Sequence, residues 1–303
     1  MGYNCVVLVK QVPDTKRITG DVMNDDGTVK RSALPAIFNP EDLNALELAL
    51  QIKDKYGGHI TVITMGLPAA SAILRDSLYR GADEAILVTD RRCAASDTLA
   101  TSYILSCAVK KTNYDVVLCG RQAIDGDTAQ VGPQLAEKLG VTQITYVEEL
   151  TELDGRTITA RRSIGNGWQK VKAELPVLLT VVGDANDPRV AAARKMIKYK
   201  NALTPIEVEQ KIKAENPDAE PADIKELVEH KCGNLAEKGL LIKQWDLDIV
   251  DADLGWCGQS GSPTKVHRIQ SVVLAAKESK EIESDEKGIS DMIHELISDK
   301  IIA

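Results

Sequence analysis

Five short runs of apolar residues constrain the fold of this chain more than any other feature. Each run is too short for a buried helix, and helical patterns separate the first four. Continuous apolar strands that alternate with helices are typical of parallel sheets covered on both faces. The sequence therefore predicts an α/β fold: a doubly wound, mostly parallel sheet with helices on both faces. The five predicted strands are residues 5–9 (CVVLV), 59–65 (HITVITM), 84–88 (EAILV), 115–119 (DVVLC) and 176–182 (PVLLTVV).

Residues that favour helix ends mark the helices between these strands. The pattern over residues 40–56 begins with a proline in its first turn, where the missing N–H is tolerated, and ends at Gly57. A second helix ends at Gly81, a third follows the capping residue Asp97, and a fourth ends at Gly140. We therefore predict helices over residues 40–56, 68–80, 98–111 and about 128–139.

The second half of the chain changes character. Residues 145–164 alternate apolar and polar side chains around Asp154-Gly155, which predicts antiparallel strands. Basic residues then collect at 184–200. Three further helical patterns follow, at residues 205–213, 221–231 and 284–302, the last of them amphipathic.

Composition and charge exclude several classes of protein. The 303 residues carry a net charge of −8, which disfavours nucleic acid as a partner. No apolar run approaches the ~20 residues that span a membrane, and residues 5–9 are too few for the core of a signal peptide. We therefore expect a cytoplasmic protein that binds neither nucleic acid nor a membrane. Because no CxxC pair occurs among the six cysteines, no metal site is predicted; a site of His230, Cys232 and Cys257 is a remote alternative.

The turn after the fourth apolar run has the composition of a phosphate site. In an open parallel sheet, ligands bind beyond the carboxyl ends of the strands. Gly120 lets the chain leave the strand, Gly126 allows a close approach of the backbone, and the start of the next helix offers free N–H groups to an anion. An ordinary strand-to-helix turn is the alternative. Because Asp125 and Asp127 would repel a phosphate, we interpret them as helix N-terminal caps or as acceptors for a ribose hydroxyl.

Two other strand ends and one helix start are expected at the same edge. The strand ends are Val9-Lys10 and Met65-Gly66. The helix start is Asn39-Pro40, which is also explained by simple capping, with Asn39 as the N-cap. No Ser-His-Asp or Cys-His arrangement is evident, so no catalytic residue is predicted.

Several motifs together resemble the β subunit of electron-transfer flavoproteins. The most specific is the run at residues 118–133 (LCGRQAIDGDTAQVGP), and the resemblance covers nearly the whole chain in order. It implies a heterodimer with an α subunit that carries its own FAD domain, so this chain alone is not a complete enzyme. The other motifs are VLVKQVPDT at 7–15, NPED at 39–42, TVITMG at 61–66 and RGADEAILV at 80–88.

Members of this family hold one of two nucleotides at the turn after the fourth run. Ordinary members bury a structural AMP there. Electron-bifurcating members hold a second FAD, which takes a hydride from NADH and divides the electrons between ferredoxin and a partner flavin dehydrogenase. Ordinary members have a threonine at the position of Val131 and a polar residue at that of Pro133. The resemblance therefore favours the bifurcating branch and FAD, with AMP as the alternative.

The resemblance also implies which residues bind the nucleotide. Lys10 and Arg121 could contact a pyrophosphate or tune a flavin, or they could form ion pairs with Asp14 or Asp125. The implied cofactor-binding residues are Val9, Lys10, Asn39, Pro40, Met65, Gly66, Gly120, Arg121, Gln122, Ala123, Ile124, Asp125, Gly126, Asp127, Thr128, Ala129, Gln130 and Val131.

A partner-recognition loop is implied at residues 184–200. Ordinary members insert a leucine from this loop into an acyl-CoA dehydrogenase, and here Ala193 stands at that position, a loss of roughly 2 kcal/mol of apolar burial. A lactate dehydrogenase-type partner is therefore favoured, with acyl-CoA and caffeyl-CoA types as alternatives. The expected partner-binding residues are Arg189, Ala193, Arg194, Lys195, Met196 and Lys198.

A segment longer than the family's usual connection follows this loop. Trp245 and Trp256 lie in it, either as interface anchors or as side chains that fix the segment to the main domain. A stand-alone adenine-nucleotide sensor of the universal-stress type is a remote alternative to the whole interpretation. The expected organisation is a nucleotide-binding α/β domain, the recognition loop, an inserted helical segment, and a C-terminal arm with a helix that contacts the α subunit, at residues 1–183, 184–200, 201–258 and 259–303.

Overall fold

A nine-stranded sheet forms the centre of the molecule. The computed structural model describes residues 2–14, 35–264 and 281–298. The strands are β1 (Tyr3–Leu8), β2 (Gln11–Pro13), β3 (Ala36–Phe38), β4 (Gly58–Met65), β5 (Glu84–Val88), β6 (Val116–Gly120), β7 (Thr142–Asp154), β8 (Thr157–Ser163), β9 (Trp168–Glu174), β10 (Val177–Val181) and β11 (Lys243–Trp245). The helices are α1 (Pro40–Tyr56), α2 (Ser71–Arg80), α3 (Thr98–Lys110), α4 (Val131–Leu139), α5 (Ala193–Tyr199), α6 (Pro205–Glu215), α7 (Pro221–Glu237) and α8 (Glu286–Ser298).

The order of the strands places a crevice beside β1. The order is β11-β5-β4-β1-β6-β10-β7-β8-β9, and the strands are parallel from β11 as far as β7. After β1 the chain builds β4 and β5 on one side and then crosses to build β6 on the other. The sheet therefore has a topological switch point between β1 and β6, where ligands of open α/β sheets bind. Strands β2 and β3 form a separate antiparallel ribbon.

Two apolar clusters cover the two faces of the sheet, as the continuous apolar runs predict. Successive side chains of a strand point to opposite faces. Cys5 and Val7 of β1 accordingly join the cluster under α1 and α2, whereas Val6 and Leu8 join the cluster under α3 and α4. The predicted α/β class and doubly wound parallel sheet are confirmed.

Several elements differ from the sequence-based expectation. The antiparallel extension has a third strand, β9, whose residues are mostly exposed, so it lacks the apolar alternation that would reveal it. The recognition loop expected at 184–200 contains the helix α5. The fourth helix begins at Val131 rather than near 128, because Asp127 and Ala129 have positive φ angles of 48° and 52°, which no α-helix accommodates.

Helices α6 and α7 form a hairpin with a small apolar cluster of its own. Val208 and Ile212 of α6 pack against Ile224 and Leu235 of α7. Thr204 and Glu207 form a capping box at the start of α6. The same Glu207 is paired with an arginine of α2, so the start of the hairpin is fixed to the main domain.

The C-terminal helix α8 has no buried residue. Most of the arm that precedes it lies outside the described residues. No helix in the described part of the chain is long and apolar enough to cross a membrane.

Candidate functional site

The three strand ends expected to form a site meet at one edge of the sheet. β1 lies between β4 and β6, and all three are parallel, so their carboxyl ends are adjacent. Val9 and Lys10 follow β1, Met65 and Gly66 close β4, and Gly120 ends β6. The structure therefore brings these predicted residues together beside the switch point.

The first turn of α1 holds the turn that follows β6. Asn39 occupies the N-cap position but does not cap α1. Its side chain instead donates from Nδ2 to the carbonyl of Gln122 at 2.9 Å and accepts at Oδ1 from the N–H of Ile124 at 3.1 Å. Glu41 accepts from the N–H of Gln122 at 2.9 Å and pairs with Arg121 at 2.9 Å. We call Asn39, Glu41 and Asp42 the α1 clamp.

Asp42, the third member of the α1 clamp, lies between the ends of β1 and β6. Its Oδ2 accepts from the N–H of Lys10 at 2.9 Å, and its Oδ1 accepts from the N–H of Gly120 at 2.9 Å. Burial raises the pKa of this carboxyl to about 7, although the two N–H donors lower it. The ends of the two strands are thus joined by one buried side chain.

Gly120 has no room for a side chain because of this clamp. A Cβ at that position would lie 2.6 Å from Oδ1 of Asp42 and 2.8 Å from atoms of Glu41. Gly126 differs, since a Cβ there would meet nothing within 4 Å. Gly120, which was predicted to let the chain leave the strand, therefore packs closely against α1, and Gly126 faces open space.

The segment between β6 and α4 presents a run of backbone N–H groups. The carbonyl of Ala123 accepts from the N–H groups of Gly126 and Asp127, which closes a tight turn. The N–H groups of the next five residues, 128–132, have no acceptor among the residues that the structure describes. They include the first N–H groups of α4. Asp127 and Ala129 have the left-handed conformation, and Thr128 between them does not. Runs of this kind bind anions.

The ion pair of Lys10 follows the alternative that the sequence left open, whereas Arg121 pairs with a residue that was not predicted. Lys10 Nζ contacts both carboxylate oxygens of Asp125, at 2.7 and 2.8 Å. Arg121 pairs with Glu41, not with either predicted aspartate, and lies 5.8 Å from the ring of Tyr146. Its buried Nε has no acceptor in the described part of the chain.

The remaining predicted residues border the site in different ways. Asp127 accepts from the side chain of Gln122 rather than capping α4. Gln130 accepts from the hydroxyl of Thr98 on α3 at 2.9 Å. Val131 packs against the apolar cluster under α3 and α4. This packing accounts for a valine at that position without a ligand, so the identity of the nucleotide does not follow from it.

Sequence reasoning missed the role of Glu41 and Asp42. Acidic residues in the first turn of a helix are explained by the positive helix end alone, and neither residue is among the implied cofactor-binding residues. The signal was nonetheless present, because NPED stands among the motifs that carry the family resemblance. Its polar residues bond to β1 and to the turn after β6, which are remote in sequence.

The expected partner-recognition segment is exposed for most of its length. Ala193, Arg194 and Met196 on α5 are exposed, as is Lys198, which bonds to Tyr199. Lys195 is half-buried beside the C-terminal end of α2. Arg189 is held against α1 by Glu47 at 2.7 Å and by Asp54 at 2.9 Å. Arg189 therefore fixes the segment to the main domain.

The two tryptophans of the inserted segment differ in exposure. Trp245 belongs to β11, pairs with β5 and packs against the apolar cluster under α3 and α4. Trp256 is 53% exposed and lies beside Tyr103, with a ring-centroid distance of 6.2 Å. Trp245 thus fixes the segment to the sheet, whereas Trp256 is available to a partner.

His230, Cys232 and Cys257 do not come together as a metal site. Within residues 2–14, 35–264 and 281–298, no group of three or more His, Cys, Asp or Glu side chains could hold a metal ion. Cys257 is buried, and burial raises the pKa of its thiol and that of Cys232.

Comparison with known proteins identifies the family. The model of the electron transfer flavoprotein domain matches residues 26–209, more than half of the chain. An electron transfer flavoprotein subunit beta of Clostridium acetobutylicum is 42% identical over 265 residues, which cover 88% of this chain and 86% of the relative. Its counterpart in Megasphaera elsdenii is 39% identical over 312 residues, with 98% and 99% coverage. The CarD subunit of the caffeyl-CoA reductase-Etf complex of Acetobacterium woodii is 48% identical over 202 residues, with 66% and 76% coverage. The chain therefore belongs to the electron transfer flavoprotein family, as a subunit of the beta type.

Proposed function

We propose that this chain pairs with an α subunit and binds FAD at the carboxyl edge of β1, β4 and β6. The complex would oxidise NADH and divide the electrons between ferredoxin and a partner flavin dehydrogenase. The observation that carries the nucleotide site is the run of N–H groups at residues 128–132, which have no acceptor among the described residues. Membership of the family supports the electron-transfer role and removes the stand-alone sensor as an alternative.

The residues at this edge fit a dinucleotide. The N–H groups at 128–132 suit a pyrophosphate, because none of them has an acceptor among the described residues. Gly126 is exposed and a Cβ there would meet nothing within 4 Å, so this part of the turn does not restrict the size of the ligand. Bound FAD would supply the redox chemistry. The chain itself would bind and orient the nucleotide, with the α1 clamp holding the turn in place.

AMP at the same position is the alternative, because the same N–H groups suit a single phosphate. The test is to release and identify the nucleotides of the co-purified αβ complex. Two FAD per complex support the proposal. One FAD and one AMP per complex would contradict it and assign electron transfer to the α subunit alone.

The partner dehydrogenase is proposed from two lines of reasoning that differ. The change from leucine to Ala193 favours a lactate dehydrogenase-type partner over the usual acyl-CoA dehydrogenase. The name of the Acetobacterium relative instead associates that protein with caffeyl-CoA reductase. We infer that the partner is a flavin dehydrogenase of one of these two kinds, docked on the exposed face of α5.

An assay of coupled activity distinguishes the two partners. The complex would be mixed with each dehydrogenase, NADH and ferredoxin, and reduced ferredoxin would be followed spectroscopically. An Ile197→Ser variant tests the docking face, because Ile197 is 70% exposed and contributes apolar surface without supporting the fold. We expect weaker association with the dehydrogenase and unchanged nucleotide content. Unchanged association would place the docking surface elsewhere, with the α6–α7 hairpin or Trp256 as the next candidates.

A further inference from the structure

The pairing between β1 and β6 is short and ends before the site. The two strands are in register from Cys5 opposite Val116 to Val7 opposite Leu118. Beyond that point the N–H groups of Lys10 and Gly120 both point to the carboxylate of Asp42, which accepts one with each oxygen. A side chain from α1 thus takes the place of the next ladder bonds between the strands.

We propose that Asp42 is a positioning residue for the nucleotide: its carboxylate sets the separation between Lys10 and Gly120 and thereby orients the N–H groups at residues 128–132. The proposal rests on the proposed nucleotide site. Asp42 does not need to touch the nucleotide, because it acts through the two strand ends that it joins.

The geometry of the position requires two acceptor oxygens. Two N–H donors approach from opposite sides, so both oxygens of the side chain must accept. An asparagine of the same shape offers one acceptor and turns an N–H₂ group toward the other donor. Burial of a carboxylate without a directly bonded cation opposes folding. A residue that only filled the space beneath the crevice would not need two such acceptors.

The rest of the α1 clamp transmits the position of Asp42 to the turn. Asn39 and Glu41, from the same helical turn, bond to Gln122 and Ile124, immediately after Gly120. One rigid helix end therefore holds the backbone of Gly120, Gln122 and Ile124 through four hydrogen bonds. A shift of Asp42 would move the start of the turn relative to β1 and would misdirect the donors that follow.

The experiment compares Asp42 with a carboxylate that joins the same two strands at their other end. Oδ2 of Asp115, just before β6, accepts from the N–H of Asn4 in β1 at 2.8 Å. The variants Asp42→Asn, Asp42→Ala and Asp115→Asn would each be purified as the αβ complex. FAD would be removed from each complex, and rebinding at the proposed site would be measured from the second FAD taken up per αβ pair, together with the urea midpoint of unfolding.

We expect Asp42→Asn to weaken rebinding about tenfold, the effect of one lost hydrogen bond, and Asp42→Ala to weaken it further. Asp115→Asn should bind FAD as the unchanged complex does, even where its urea midpoint falls as much as that of Asp42→Asn. The positioning role is wrong if Asp42→Asn binds FAD normally. It is also wrong if Asp42→Asn and Asp115→Asn both lose affinity for FAD in the same proportion to the fall in their urea midpoints. If the unchanged complex rebinds only one FAD per αβ pair, the proposed function itself is wrong.

Discussion

The two ends of the β1–β6 pair are joined in different ways. At the amino end, Asp115 accepts one N–H from Asn4 and returns a backbone N–H to its carbonyl at 2.8 Å, with its side chain partly exposed to solvent. At the carboxyl end, the buried Asp42 accepts two N–H groups from two strands. The same residue type thus joins the same strands once near water and once in the interior.

This difference separates stability from function within one pair of strands. The bond of Asp115 is local, and water can replace it at modest cost. Asp42 opposes folding through its burial but holds the edge where ligands of open α/β sheets bind. We therefore expect changes at the carboxyl end to affect both nucleotide binding and stability, and changes at the amino end to affect stability alone.

The largest effect is expected from Gly120→Ala. The new methyl group would lie within 3 Å of Asp42 and Glu41, so the α1 clamp must move, at a cost of about 3 kcal/mol in the free energy of unfolding. Urea denaturation and nucleotide content measure the two consequences. The matched control is Gly126→Ala, whose methyl group meets no atom within 4 Å. Equal losses in both variants would show that the clamp is not the tight point of the turn.

A smaller, pH-dependent effect is expected from Asp42→Asn. Since burial raises the folded-state pKa of Asp42 from 3.8 to about 7, the unfolded chain releases this proton first as the pH rises. The stability that the protonated carboxyl contributes is present below about pH 4 and is lost as the pH rises to about 7. The free energy of unfolding of the unchanged protein, relative to that of Asp42→Asn, should therefore fall between these pH values and then level off.

Urea denaturation of the unchanged protein and of Asp42→Asn at several pH values measures this difference in the free energy of unfolding. A difference that grows with pH would contradict the prediction. It would mean that the N–H groups of Lys10 and Gly120 lower the pKa more than burial raises it.

The smallest effect is expected from Lys10→Met. Lys10 and Asp125 connect two sides of the crevice, but the lysine side chain is half exposed, and such pairs contribute about 0–1 kcal/mol. The free energy of unfolding should change by less than 1 kcal/mol, as in a Lys213→Met control that breaks the exposed pair with Glu209. A loss of several kcal/mol would show that this exposed pair, and not the buried Asp42, holds the crevice together.

Much of the fold could be predicted because local patterns determine it. The apolar runs match β1, β4, β5, β6 and β10 closely, and the helix predicted over 40–56 matches α1 at both ends, where Pro40 and Gly57 provide local signals. The strand β9 could not be predicted, since an exposed edge strand carries no apolar alternation.

The candidate site could be located from the sequence, but the contacts that hold its segments together could not be predicted. Gly120 and the turn after it follow from local composition. The contacts of Asn39, Glu41 and Asp42 join segments about eighty residues apart. No periodicity reports such a contact, so the clamp emerges only from the structure.

Hydrogen exchange of the αβ complex, with its nucleotide bound and after its removal, tests the contrast between the two ends of the β1–β6 pair most directly. The account predicts that the nucleotide strongly protects the amides of residues 128–132, which have no acceptor among the described residues, and leaves the amides of Asn4 and Asp115 unchanged. Exchange at residues 128–132 that is the same in both states would contradict the account, and so would protection of equal size at both ends.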